Sequence, residues 1–500
     1  MIDAAGEALT QVLSLEHVGW VLFGTMVGLI VGVIPGLGGV TGMSLLLPFI
    51  FGMDAYSGLA LLMGMAAVIS TADTFPSVLL GVPGSAGAQA TILDGYPLAR
   101  QGQAERALGA AFTSSLAGGL IGAAVLLATL VIIRPLVLAV GSPELFMLSL
   151  LGLCLVALLT AGQPIPGLVV GALGLLAGAI GAAPATAEYR YTFDVLYLFG
   201  GLSIVLVALA LFAVPEMLDL LIEDRPIAGK VRLLGRRLDG VRDALRNKFL
   251  IARSSVLGNF TGVVPGLGGA VADWFAYGMA RQTVKGSSKF GSGDIRGVVA
   301  PESANNAVTA GALVPTLLFG IPGSPTTAVL LGGLLLLGVK AGPDMIDEQL
   351  PLTLSVVWTY AMANCFGAAA CFLLTRQIAR ITTVPPKVLV PCLFVVITYA
   401  AYQSSHHWGD IAVLFVLGTA GWWWKQVGWP RAPFIVGFVL AEPAERYLHL
   451  SISRYGMDWL GRPGVLVIGA LIVLGFVVEL MRQVRGRREQ QAQLTGVDGQ

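Results

Sequence analysis

The chain is 500 residues long, 56% hydrophobic and only 12% charged, with 65 glycines and a formal net charge of +1. A soluble globular protein carries about a quarter charged residues, so half of the usual charge is missing, and long apolar runs bounded by sparse charges read as membrane helices. The near-zero net charge argues against nucleic acid as a partner, and the composition points to a polytopic protein whose solvent is the lipid bilayer.

Residues 1–16 carry Asp3, Glu7 and Glu16 but no Lys or Arg, so the basic n-region of a cleaved signal peptide is missing. Membrane repeat 1 is expected over 17–215. Its apolar runs are Val18–Val33, Met43–Met53, Leu59–Val68, Leu108–Ile133, Leu145–Leu159, Leu168–Ala183 and Val195–Val214. Residues 216–248 form the long charged segment, with Arg225, Lys230, Arg232, Arg236, Arg237, Arg242, Arg246 and Lys248. That basic excess predicts a cytoplasmic linker, part of which reads equally well as an amphipathic helix on the inner leaflet. Membrane repeat 2 is expected over 249–481, through Phe249–Val264, Val298–Ile321, Ala328–Val339, Leu354–Leu374, Val388–Tyr399, Ile411–Trp424, Phe434–Leu440 and Val465–Leu480. A polar tail, 482–500, holds Arg482, Arg485, Arg487 and Arg488 and is again cytoplasmic by the same rule. Trp422, Trp423, Trp424 and Trp429, beside Lys425 and Arg431, read as an interfacial aromatic belt. His406-His407 reads as a loop feature. All four cysteines lie in apolar runs and read as packing residues.

Two phrases are written twice. Val33-Ile34-Pro35-Gly36-Leu37-Gly38-Gly39 returns as Val263-Val264-Pro265-Gly266-Leu267-Gly268-Gly269, 230 residues later. Phe75-Pro76-Ser77-Val78-Leu79-Leu80-Gly81-Val82-Pro83-Gly84-Ser85 is echoed, 239 residues on, by Val314-Pro315-Thr316-Leu317-Leu318-Phe319-Gly320-Ile321-Pro322-Gly323-Ser324. Two markers in the same order at nearly equal offsets predict an internal duplication. An acidic start outside and a basic linker inside would send the two halves into the membrane from opposite sides, as in inverted-repeat carriers. The fold expected is an all-α polytopic membrane protein of two internal repeats with broken or re-entrant helices and about 12 transmembrane segments.

Pro-Gly inside an apolar run breaks a helix, and the freed backbone groups survive at membrane depth only inside protein or along a wet cavity. In transporters, half-helix N-termini at such breaks face anions and unwound carbonyls face cations. Ser324 suits an N-cap and Pro325 the first helical position. Gly84, Ser85, Gly323 and Ser324 are therefore candidate donors to a carboxylate. In Pro301-Glu302-Ser303-Ala304-Asn305-Asn306, the two amides can serve a cation through oxygen or a carboxylate through N–H. Glu302 reads as a buried proton or cation site or as an interfacial residue. At the 239 offset the asparagines become Ala66 and Ala67, and the polar work moves to Ser70, Thr71, Asp73 and Thr74. Asp73 is a candidate functional acid or a helix cap. Thr91 and Asn305 are candidate side-chain contacts, and Gly36, Gly38, Gly266 and Gly268 allow close approach and carbonyl coordination. No glycine loop is followed by the Lys of a nucleotide-binding motif, so ATP hydrolysis is not expected. An intramembrane enzyme would need a nucleophile–base pair or a metal set, which the sequence does not offer; no cofactor or transition metal is expected.

The paired Pro-Gly-Leu-Gly-Gly and Pro-Gly-Ser motifs, Leu93-Asp94-Gly95-Tyr96-Pro97-Leu98-Ala99 followed by Gly102, and Pro301-Glu302-Ser303-Ala304-Asn305-Asn306-Ala307 resemble the large membrane subunit of bacterial tripartite tricarboxylate transporters, the TctA family. The likeness runs from about residue 19 to beyond 440 and its motifs occur in the family's order. It implies a bacterial inner-membrane secondary carrier working with a small membrane subunit and a periplasmic solute-binding protein. It further implies uptake of a citrate-like carboxylate driven by an ion gradient, usually of sodium (Na+). Ile69-Ser70-Thr71-Ala72-Asp73-Thr74-Phe75-Pro76 departs from the Tyr/Gly-rich stretch ending Gly-Gly-Ser expected there, which leaves the substrate and coupling ion open. An anion carrier or exporter without a binding protein is the alternative, and a homodimer is left open.

Overall fold

The computed structural model describes residues 2–34, 37–159, 163–223, 233–381 and 386–497. Pro35 and Gly36 lie outside them, as do Arg225, Lys230 and Arg232 of the basic linker and the side chains of Arg482, Arg485, Arg487 and Arg488.

A helix satisfies its backbone N–H and C=O groups within one segment, which is what the bilayer demands. Among the described residues the one sheet is a small hairpin, Gly181–Ala182 paired antiparallel with Tyr189–Arg190. Six helical stretches are long and apolar enough to cross a membrane: Leu15–Val33, Ala55–Leu80, Ile92–Pro135, Ser142–Leu159, Ile204–Ile222 and Leu350–Leu373. Shorter apolar helices cover Gly38–Ile50, Pro164–Gly178, Pro325–Leu336, Val390–Ser405 and Pro463–Glu479. The chain is thus a multi-pass, all-α membrane protein.

Several boundaries differ from those the sequence predicts. The run Val195–Val214 becomes membrane helix only at Ile204, because Gly201 at φ +72° ends a short turn and Ser203 caps a new start, accepting from the Val205 N–H at 3.2 Å. That helix contains a π-turn, Leu209–Ala213, and runs on as Val214–Glu223, so Glu216 lies on a helix rather than in a linker. Within the linker, Arg237–Arg246 is helical and docks on Ala104–Leu138 through a 2.7 Å ion pair between Arg106 and Asp243. The helix Gly268–Thr283 was not expected at all. His407 caps the helix Trp408–Gln426 by accepting from the Gly409 N–H at 2.9 Å.

The doubled phrases fold alike. Ile34 and Val264 share an extended conformation (φ −85°, ψ 113° against φ −89°, ψ 111°), and Gly38 and Gly268 both turn left-handed at φ +57° and +60°. Further on, the Gly84 N–H donates to Ser77 Oγ at 3.4 Å and the Gly323 N–H to Thr316 Oγ1 at 3.2 Å. One difference separates the copies. Ser324 opens a 12-residue helix with a full capping box and Pro325 inside its first turn, whereas Ser85 opens only the 3-10 turn Ala86–Ala88.

Helix Leu15–Val33 packs on Ala55–Ala72, and Lys248–Val263 packs on Arg296–Phe319, with backbones nearly touching. A Cβ added to Gly28 would sit 2.8 Å from Met65 O, and one added to Gly258 would sit 2.4 Å from Ala304 O. Small residues permit this approach where lipid supplies no hydrophobic drive for helix association. Arg296–Phe319 also packs along Ala104–Leu138, which makes it the central helix of the second half. The loop before it is fastened by Asp94, whose Oδ1 accepts N–H groups from Gly291, Gly293 and Asp294 at 2.8–2.9 Å.

Replacing Gly258 with Leu should force these helices apart at a cost of about 1–3 kcal/mol, lowering the thermal midpoint in detergent by several degrees. Gly278→Ala, which meets nothing within 4 Å, should leave it unchanged. Equal midpoints for the two variants would show that the close approach is not structural.

Candidate functional site

A cavity of about 490 Å³ opens where the doubled phrases meet. Gly38-Gly39 and Gly268-Gly269 line it, as do Pro83 through Gly87 and Ser324 through Thr327. Ser70, Gln89, Asn305 and Thr309 add polar wall, and Met63, Ile69, Val308 and Leu330 add apolar wall. The tips meet crosswise. A Cβ at Gly39 would lie 3.2 Å from Thr326 Oγ1, and one at Gly269 would lie 3.3 Å from Gly87 Cα. Each Pro-Gly-Leu-Gly-Gly tip thus touches the Pro-Gly-Ser tip of the other copy.

Six of the residues singled out from sequence face this cavity: Gly38, Gly84, Ser85, Gly268, Asn305 and Ser324. Their donors are partly committed. The N–H groups of Gly84 and Gly323 turn back to their own helices, and the capping box takes the N–H groups of Ser324 and Thr327, the former at 2.9 Å from Thr327 Oγ1. The Ser85 hydroxyl donates to Asp73 Oδ2, and Asn305 Nδ2 reaches the same oxygen at 3.4 Å and the Ser70 carbonyl at 3.4 Å. Gly87 makes room for Asn305, since a Cβ there would fall 2.2 Å from Asn305 Oδ1.

The remaining candidates lie behind this layer. Asp73 is buried at the end of helix Ala55–Ala72 and makes no capping hydrogen bond with its side chain at the helix that follows; it holds Ser85 and Asn305 instead. Glu302 is fully buried and accepts from Thr91 Oγ1 at 2.8 Å and Thr74 Oγ1 at 2.7 Å. Asn306 turns away from the cavity, donating to Asn364 Oδ1 at 2.7 Å and the Ser115 carbonyl at 2.9 Å, so here it ties helices together. Gly323 backs onto Ala312, and Gly266 onto the carbonyl of Leu155. Gly36 is outside the described residues.

Sequence reasoning missed two groups. Asp273 is buried on the unexpected helix Gly268–Thr283, and its Oδ2 accepts from the Ala90 N–H at 2.6 Å. A lone acid in Gly269-Ala270-Val271-Ala272-Asp273 was a readable signal for it. Three carboxylates therefore surround the stretch from Ser85 to Thr91. Among the described residues, no three His, Cys, Asp or Glu side chains gather as a metal site. The second group is charged and faces the cavity itself: Glu216, Lys425 and Arg431. Lys425 Nζ lies 2.7 Å from Glu216 Oε2 and 2.5 Å from Asp219 Oδ2, and Arg431 Nη2 lies 3.0 Å from Glu216 Oε1. Of the tryptophans expected as a belt, Trp422 donates its Nε1–H to Asp219 at 2.8 Å and Trp424 is buried.

Chemically, the cavity offers neutral hydroxyl and amide groups at the broken tips and, on one wall, Lys425 and Arg431 paired with Glu216, the kind of convergent polar groups that hold a small polar ligand. Comparison with known proteins agrees in kind. A model of the tripartite tricarboxylate transporter TctA family matches residues 18–436. A protein of Agrobacterium vitis described as an uncharacterized 52.8 kDa protein in the TAR-I ttuC' 3' region is 30% identical over 490 residues, spanning 96% of each chain. A second from the same organism, an uncharacterized protein in the TAR-II ttuC' 3' region, is 30% identical over 239 residues, which is 47% of this chain and 98% of its own. No solved structure matches.

The crosswise contact is open to a direct check. In a background free of native cysteines, Gly39→Cys with Thr326→Cys should form a disulfide on mild oxidation, because the two side chains start within bonding reach. A reductant-reversible mobility shift is the expected readout. A pair that stays reduced while each single cysteine remains reactive would place the tips elsewhere.

Proposed function

The chain belongs to the tripartite tricarboxylate transporter TctA family, and we propose that it is the large membrane subunit of a binding-protein-dependent secondary carrier importing a di- or tricarboxylate. The observation that carries this reading is the convergence of all four doubled tips on one cavity that also holds Asn305 and two cations. Broken backbone at membrane depth is tolerated where it lines a wet site, and its dipoles and hydroxyls favour an anion there. In this reading Ser85, Ser324 and Asn305 contact the substrate.

The two halves are inverted repeats, and the paired contacts Gly39 with Thr326 and Gly269 with Gly87 are one contact made twice about a pseudo-two-fold axis. Transport proceeds by an elevator-like exposure of the tips to either side, driven by a cation gradient, with Na+ as the coupling ion. The carbonyls around Gly38 and Gly268 and the carboxylates of Asp73 and Glu302, one layer behind the substrate, are its candidate ligands. The family's setting supplies a bacterial inner membrane, a small membrane subunit and a periplasmic solute-binding protein. Neither relative's description states a substrate, so the acid itself is the quantity to measure.

Cells carrying the chain with its partner subunits should accumulate a labelled organic acid from a panel of mono-, di- and tricarboxylates, and should do so only under an imposed Na+ gradient. Uptake under a proton gradient alone would replace the coupling ion. Ser324→Ala and Asn305→Ala should each reduce that uptake at least tenfold, about the worth of one hydrogen bond to a charged group, with normal amounts of protein in the membrane. Wild-type rates in both variants would remove these residues from the site.

A further inference from the structure

The charged wall of the cavity does something the tips cannot. Arg431 is held in place independently of Glu216: its Nη1 donates to the Leu211 carbonyl at 2.9 Å, and its guanidinium lies 5.5 Å over the Phe212 ring. Leu211 and Phe212 belong to the π-turn Leu209–Ala213, a bulge that frees carbonyls from the helix ladder. The Phe212 carbonyl is served by Thr41 Oγ1 at 3.2 Å, and both Thr41 and Phe212 line the cavity. The bulge therefore fixes a guanidinium at the cavity wall, with one edge bound to backbone and, among the described residues, Nη2 bound to Glu216.

Glu216 has a second partner to fall back on: its Oε2 accepts from Lys425 Nζ at 2.7 Å. Lys425 already holds a second carboxylate, Asp219, which Trp422 and Gln426 also bind at 2.8 and 3.1 Å. If Glu216 lets go of Arg431 it keeps Lys425, so the carboxylate is not left unpaired. Among the described residues that line the cavity, Lys425 and Arg431 are the cations and Glu216 is the acid.

We propose that Arg431 anchors a carboxylate of the substrate, and that Glu216 occupies the guanidinium as an internal stand-in until the substrate displaces it. The exchange trades one carboxylate for another on the same nitrogen, so the cation is never left bare in a weakly polar setting, where an unpaired charge is costly. It also gives the cavity a preference for anions over neutral molecules of equal size. A neutral ligand cannot displace Glu216 without stranding Arg431. The inference rests on the cavity being the carboxylate site of the carrier.

The test is uptake of radiolabelled succinate and citrate by cells carrying the chain and its partner subunits, with half-saturating concentrations for wild type and two variants. Arg431→Gln should raise that concentration roughly tenfold or more, the loss of a charge-assisted contact. Glu216→Gln, which removes the competing carboxylate and leaves Lys425 paired with Asp219, should lower it. A cluster that merely clasps helices would weaken uptake in both variants through loss of folded protein, which gel filtration in detergent would reveal. An unchanged or raised half-saturating concentration in Glu216→Gln, or an unchanged one in Arg431→Gln, overturns the proposal while leaving the transport reading intact. Failure of wild type to take up any acid of the wider panel would sink the transport reading, and this one with it.

Discussion

The structure depends on one constraint: a backbone broken at membrane depth must find partners for the groups it frees. Here the partners are internal and regular. A hydroxyl one helical stretch earlier, Ser77 or Thr316, takes the N–H of the glycine at the break. That glycine is pressed against the preceding helix, at Asp73 in one copy and Ala312 in the other, so closely that a Cβ would come within 2.7–2.8 Å of backbone. With the breaks satisfied from behind, their front surfaces are free to form the wall of a polar cavity. The cavity is thus a consequence of how the breaks are stabilised.

Much of this was legible because it was written twice. The nearly equal offsets from Pro35 to Pro265 and from Pro83 to Pro322 predict matched turns, and the left-handed glycines and extended caps match to within a few degrees. Adjacency in sequence misled at Asn305 and Asn306. Successive residues on a helix are rotated by about 100°, so one amide faces the cavity and the other packs against Asn364 and Ser115. The charged wall could not be read at all. Glu216 and the pair Lys425 and Arg431 lie some two hundred residues apart and outside both doubled phrases. Only the packing of helix Val214–Glu223 against Trp408–Gln426 brings them together.

The site is polar on unequal sides because the doubled phrases sit among unlike side chains. The two copies share a backbone plan but not its side chains. Asp73 stands where the second copy has Ala312, and Asn305 stands where the first has Ala66. The fold then brings Asn305 of one copy to Asp73 and Ser85 of the other, pooling what neither copy has alone. The result is a single site with unlike sides.

That asymmetry has an electrostatic direction. Behind the tips lie Asp73, Asp273 and Glu302, each buried and bonded to hydroxyl, amide or backbone N–H groups in the contacts described. Lys425 and Arg431 stand on the wall formed with Glu216 and Phe212. The ion pairs that face the cavity and the buried acids behind it thus occupy separate layers, and at short range in a weakly polar medium forces between charged groups are large.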